Sequence, residues 1–152
     1  SVGPALAPGL ELPVRLARLL GNHPSDDEAV LEQLRADPQV HDGARLDTLQ
    51  GLAGLMDAAL AASPQLPGPA LLLYGEQDAV IPPEALCRML AGLPADEGWR
   101  MVLYPDGYHL LSRYSGAHQV VADIRAWLQD PAAALPSGYA VTRTQARERL
   151  CR

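Results

Sequence analysis

PALLLYGEQDAVIPPEALCRMLAGL, residues 69–93, decides how the fold is read. It opens on PALLLYG, a short continuous apolar run bounded by proline and glycine. That length without alternation is the pattern of a buried, parallel strand over 69–75. EQDAVI follows as a loop. Pro82 and Pro83 then suit the first turn of a helix, where a missing N–H goes unused, and the helix runs through PEALCRMLAGL. WRMVLYP, residues 99–105, reads as the next strand and leads into the loop YPDGYHLL, residues 104–111. AHQVVADIRAWLQ closes the series as a helix over roughly 117–129. Strand, helix, strand, loop, helix is an α/β order.

Two strands do not make an α/β sheet, since sheets commonly hold about five or six and a parallel strand needs both faces covered. The segment therefore reads as part of a larger domain. Upstream, LELPVRLARLL, residues 10–20, carries helical spacing and is expected to form a short amphipathic helix ended by Gly21. After the polar GNHPSDD, Ser25 with Glu28 three residues later predicts a capped helix over EAVLEQLRA. DPQVHDG, residues 37–43, interrupts the pattern. A longer helix follows, with Leu46, Leu49, Leu52, Leu55, Met56 and Leu60 as its apolar positions. Most of these leucines are expected to pack in a core, and GLAGL, residues 51–55, to mark a close approach of helices. The last segment, LPSGYAVTRTQARERLCR, sets Arg143, Arg147, Arg149 and Arg152 against Glu148. It reads as a helix or an untethered tail and carries no assigned role.

Composition narrows the class. A hydrophobic content of 48% with 20% charged residues over 152 residues is that of a globular protein. No run of 18 apolar residues suggests a membrane span. SVGPALAPGLELP lacks the basic and apolar regions of a signal peptide, so a cytoplasmic location is expected, with export left open. The net charge of -6, with arginine as the only basic type besides histidine, weighs against nucleic acid as a partner. Cys87 and Cys151 lie far apart without C-x-x-C spacing, one on a helix and one in the tail. No disulfide framework is expected, and Cys87 reads as a small apolar filler. His23, His41 and Asp42 have no metal-ligand spacing, and no phosphate- or dinucleotide-binding glycine motif is present, so neither metal nor cofactor is expected.

Candidate chemistry gathers at the strand ends. Asp78 lies three residues past Gly75, and His109 four past Pro105. Open α/β sheets handle ligands outside the carboxyl ends of their strands, and neighbouring strands are about 4.8 Å apart. The two loops can thus meet. A histidine can take a proton from a hydroxyl and return it to a leaving group. A carboxylate on its far nitrogen fixes the tautomer and stabilises the imidazolium. Other readings stay open on spacing alone. Asp78 also suits a cap ahead of the two prolines, and His109 suits a solvated loop. Asp106 is nearer to His109 in sequence, although PDG looks like a turn.

The same stretches resemble the C-terminal half of α/β-hydrolases, and more narrowly the monoacylglycerol lipase and lysophospholipase group, related to the serine aminopeptidase family. Gly75, Asp78 and Pro82 match that group's G-x-x-D-x-x-x-P. Tyr104, Gly107, Tyr108 and His109 match its Y-x-G-x-Y-H, and Trp127 and Leu128 match the end of its closing helix. Asp37, Pro38, Val40, His41 and Gly43 resemble its D-P-L-V-H-x-G element, with Gln39 in place of leucine. SVGPALAPG resembles the stretch that follows the strand after the nucleophile, so the likeness covers roughly residues 1–130.

The resemblance implies the C-terminal part of an α/β-hydrolase fold. Residues 1–9 would leave the central strand, 10–62 form cap-region and return helices, 63–130 form the core with the acid and histidine loops, and 131–152 form a tail. It makes Asp78 the triad acid and His109 the base of an enzyme cleaving monoacylglycerol or related acyl esters through an acyl-enzyme. The family's nucleophile stands in G-x-S-x-G ahead of both. None of Ser1, Ser25, Ser63, Ser112, Ser115 or Ser137 does so. The nucleophile and oxyanion hole are expected from an N-terminal half of the same hydrolase, with this chain alone inactive. The expected partners are that half, a small acyl ester and, through the cap, transient contact with a membrane surface. Hydrolysis of other esters or peptides, and a non-catalytic binding domain, remain as alternatives.

Overall fold

The computed structural model describes residues 11–13, 23–40, 43–94 and 98–151. In chain order these form β1 (Glu11–Pro13), α1 (Glu28–Ala36), β2 (Gly43–Arg45), α2 (Leu46–Ala62) and β3 (Ala70–Gly75). They continue as α3 (Pro83–Gly92), β4 (Trp99–Tyr104), α4 (Ala117–Gln129), β5 (Ala140–Val141) and α5 (Arg143–Leu150). β3 and β4 pair in parallel from Ala70 opposite Trp99 to Gly75 opposite Tyr104. Successive side chains of a strand point to opposite faces, and both faces here are covered. Met101 and Leu103 pack with Tyr74, Leu90 and Leu93 on the α3 side. Val102 and Tyr104 pack with Tyr114 and Val120 on the α4 side. That two-sided burial is why both strands are continuous apolar runs rather than alternating ones.

The C-terminal segment is no untethered tail. β5 adds to β4 antiparallel, Val141 opposite Met101 and Ala140 opposite Val102, giving the sheet order β3-β4-β5. Thr142 and Gln145 form a reciprocal capping box at the start of α5. Ala146 and Leu150, one turn apart, are buried in the α3-side core. Arg143 donates to the carbonyls of Leu90, Leu93 and Pro94 and lies over the Trp99 ring. It thereby serves acceptors that the end of α3 leaves without helical partners.

The expectation of unpaired cysteines is also corrected. Packing of α5 on α3 brings the Cys87 and Cys151 Cα atoms to 5.3 Å, and the two form a disulfide across 64 residues. Closing a loop of that length contributes about 4 kcal/mol in the chain-entropy picture.

The N-terminal region departs from its reading in four places. Glu11–Pro13, expected as helix, is a strand pairing antiparallel with β2 in a separate two-stranded sheet; residues 10 and 14–20 of that expected helix lie outside the described residues. α1 is capped by Asp27, whose Oδ1 accepts from Ala29 and Val30, not by Ser25. Ser25 is buried and its hydroxyl is taken by the Arg113 carbonyl at 2.6 Å. GLAGL marks no close approach, since a Cβ at Gly51 or Gly54 meets nothing within 4 Å among the described residues. α2 as a whole buries none of its residues, and Leu52, Leu55 and Met56 stand exposed.

Candidate active site

The register of the parallel pair sets the site. β3 and β4 end side by side, and beyond them the ladder continues into the loops. The Glu76 amide donates to the Tyr104 carbonyl and the Gln77 amide to the Gly107 carbonyl, each at 2.9 Å. The Gln77 side-chain amide donates to the Pro105 carbonyl, also at 2.9 Å. The two loops touch through paired glycines. A Cβ on Gly107 would lie 2.9 Å from Gly75 Cα, and one on Gly75 would enter the Gly107 carbonyl. Only two residues without side chains permit this approach.

Asp78 is fixed at both oxygens. Its amide closes a turn onto the Gly75 carbonyl at 3.0 Å. Oδ1 accepts from the amides of Val80 and Ile81 at 2.8 and 2.9 Å. Oδ2 lies 2.9 Å from His109 Nδ1. The cap reading and the acid reading of Asp78 are thus both realised, one on each oxygen. The carboxylate side chain is 6% exposed and the imidazole 32%. A carboxylate partner makes Nδ1 the protonated nitrogen and leaves Nε2 with its lone pair. Asp106 sits exposed in the turn after β4, and the recorded hydrogen bond of His109 goes to Asp78.

The histidine loop is held from below by the segment after residue 23. The Leu110 amide donates to the Pro24 carbonyl at 2.8 Å. Ser25 donates to Arg113, and Asp26 accepts from both the amide and the hydroxyl of Ser115 at 2.9 and 2.6 Å. Partial burial works against the Asp26 charge, but the two Ser115 hydrogen bonds outweigh it and hold its carboxyl below the usual range. Behind the loop, the Tyr104 hydroxyl donates to the buried Asp123, whose other oxygen accepts from the Ser137 amide. Burial first, then the Asp123 carboxylate, pushes the Tyr104 phenol far above its ordinary value. Tyr74 donates to the Ile81 carbonyl at 2.8 Å. Burial and the charges of Asp78, Glu84 and Glu76 push that phenol up to about 12.

Sequence reasoning identified Asp78 and His109, which lie together. It missed Gln77, which bonds twice to the histidine loop, and the Ser25–Asp26 anchor. The polar SDD run was the signal for that anchor, but its partners stand almost 90 residues away. His41 and Asp42 lie outside the described residues. A family model described as serine aminopeptidase, S33, matches residues 2–113, a stretch that contains both Asp78 and His109. No curated protein and no solved structure matches the chain.

Proposed function

The chain belongs to the serine aminopeptidase S33 family of α/β-hydrolases, and on that footing we propose that Asp78 and His109 are the acid and base of a serine ester hydrolase. The observation that carries this reading is the 2.9 Å contact between Asp78 Oδ2 and His109 Nδ1, at the carboxyl ends of two parallel strands. The nucleophile in this reading is a serine in G-x-S-x-G, outside these 152 residues and supplied by an N-terminal half of the same hydrolase. His109 Nε2 takes the serine proton as the oxygen attacks the ester carbonyl, and Asp78 stabilises the imidazolium. The proton passes to the departing alcohol, leaving an acyl-enzyme. Water then attacks the acyl carbonyl as His109 takes one of its protons, and His109 returns that proton to the serine oxygen as the acyl–serine bond breaks and the carboxylic acid leaves.

Monoacylglycerols or related acyl esters are the proposed substrates, with residues 10–62 as the cap region. A groove of about 290 Å³ runs between α2 and α3, lined by Met56, Leu60, Ile81, Leu86 and Met89 among others. Its volume is near the lower end of the about 300–1,000 Å³ usual for small-molecule sites. Ile81 ties it to the acid, because the Ile81 amide is one of the two donors to Asp78 Oδ1. A groove lined mostly by apolar side chains, with Asp57 and Arg88 among them, and sharing Ile81 with the turn that holds the acid suits an acyl chain. The family description favours a second reading, hydrolysis of aminoacyl amides.

A substrate series on the complete enzyme tests the choice. Long-chain monoacylglycerol is expected to exceed an aminoacyl anilide in kcat/KM by at least about tenfold, with Leu60→Trp raising KM for the long chain and sparing a short ester. A preference for the anilide, unchanged by Leu60→Trp, would move the function to the second reading.

A further inference from the structure

We propose that Arg149 is a positioning residue that sets the acid loop through Glu76, and that the C-terminal segment from β5 to Cys151 is a brace built to hold it there. The inference rests on the proposed roles of Asp78 and His109.

Glu76 is the first residue after β3 and stands two before Asp78. The segment Glu76–Gln77–Asp78 is fastened on two sides, to the histidine loop and to α5. Asp78 bonds to His109, and Gln77 bonds to the loop that carries His109. Glu76 turns the other way. Its Oε1 accepts from Arg149 Nε at 3.0 Å, and its Oε2 accepts from Arg149 Nη2. A planar guanidinium gripping both carboxylate oxygens fixes direction as well as distance, which a single ammonium cannot do. Both side chains are partly withdrawn from water, Glu76 being 22% exposed and Arg149 36%.

An ion pair between two mobile groups positions nothing, so the placement of α5 decides the matter. That helix is fixed without help from Glu76. β5 ladders onto β4, Arg143 clamps the end of α3, Ala146 and Leu150 enter the core, and Cys151 is joined to Cys87. Arg149 is therefore presented from a scaffold anchored on both sides of it, and the acid loop takes its position from the cation. All of these brace contacts are made by residues beyond 113, where the family match ends.

The readout is solvent exchange of the His109 Nδ1 proton, followed by NMR in the complete enzyme below its melting temperature. It does not depend on turnover. Arg149→Gln and Glu76→Gln are each expected to speed exchange by about three- to tenfold, and the double variant to do no more than either alone. Arg149→Lys is expected to restore part of the protection. In the complete enzyme, kcat is expected to fall by a similar factor with KM held. Exchange unchanged in both single variants would overturn the brace, whatever their melting temperatures. An Asp78→Asn enzyme of full activity would instead remove the proposed function, while the exchange rates would still report on the brace.

Discussion

Replacing His109 with alanine is expected to lower kcat for a short acyl ester by about 10⁴-fold or more, with the fold intact. The size follows from the role. Without the imidazole no group takes the serine proton or returns one to the leaving alcohol, and only ester binding and the oxyanion donors continue to act. The fold survives because the loop does not hang on this side chain. Leu110, Arg113 and Ser115 keep their bonds to Pro24, Ser25 and Asp26, and Asp78 keeps the amides of Val80 and Ile81. Steady-state kinetics beside circular dichroism reads both halves of the expectation. A variant that turns over within tenfold of the parent cannot have lost its base.

The second large effect is structural. Gly75→Ala is expected to destabilise the chain by at least about 4 kcal/mol, above the about 1–3 kcal/mol usual for overpacking. The three atoms nearest the new methyl are all backbone, of Gly107 and Tyr108. Backbone cannot move aside without opening the Gln77–Gly107 hydrogen bond and parting the acid loop from the histidine loop. Gly54→Ala is the matching control. It sits in α2 with nothing within 4 Å of the added methyl, so removing a helical glycine is expected to stabilise by about 0.5–1 kcal/mol. Denaturant midpoints measure the contrast. Equal midpoints for the two variants would show that the glycine pair does not set the approach of the loops.

The elements that were legible beforehand are those whose own residues suffice to specify them. α1, α3, α4 and the two parallel strands lie within a residue or so of their expected bounds, and α2 ends at Ala62 rather than at 66, because helical spacing, unbroken apolar runs and the Pro82–Pro83 start are local signals. The site was legible for a related reason. A loop at the carboxyl end of each parallel strand carries one partner, so the topology allows Asp78 to meet His109, although spacing alone left Asp106 and the cap reading open and the family resemblance singled out the pair. The contacts that were not legible are those made between distant segments. β5 is two residues long and borrows its conformation from β4. α5 is mostly polar, and only Ala146 and Leu150 betray a buried face; the T-x-x-Q spacing at Thr142 was its one clear sign. The cysteines meet because two helices pack, which no spacing rule encodes. Asp27, directly ahead of Glu28, takes the cap, while Ser25 stands two residues earlier, accepting from the Asp27 amide and donating to the Arg113 carbonyl 88 residues away. A capping-box spacing does not by itself fix which acceptor lies next to the first turn.

The central claim is that this chain carries the base and acid for a serine it does not itself contain. Mapping the residue modified by a serine-directed phosphonate in the complete enzyme tests it most directly. The label is expected on a G-x-S-x-G serine outside residues 1–152, and its rate is expected to collapse in the His109→Ala variant. Label on Ser25, Ser112 or any other serine of this chain, or equal labelling in that variant, would contradict the account.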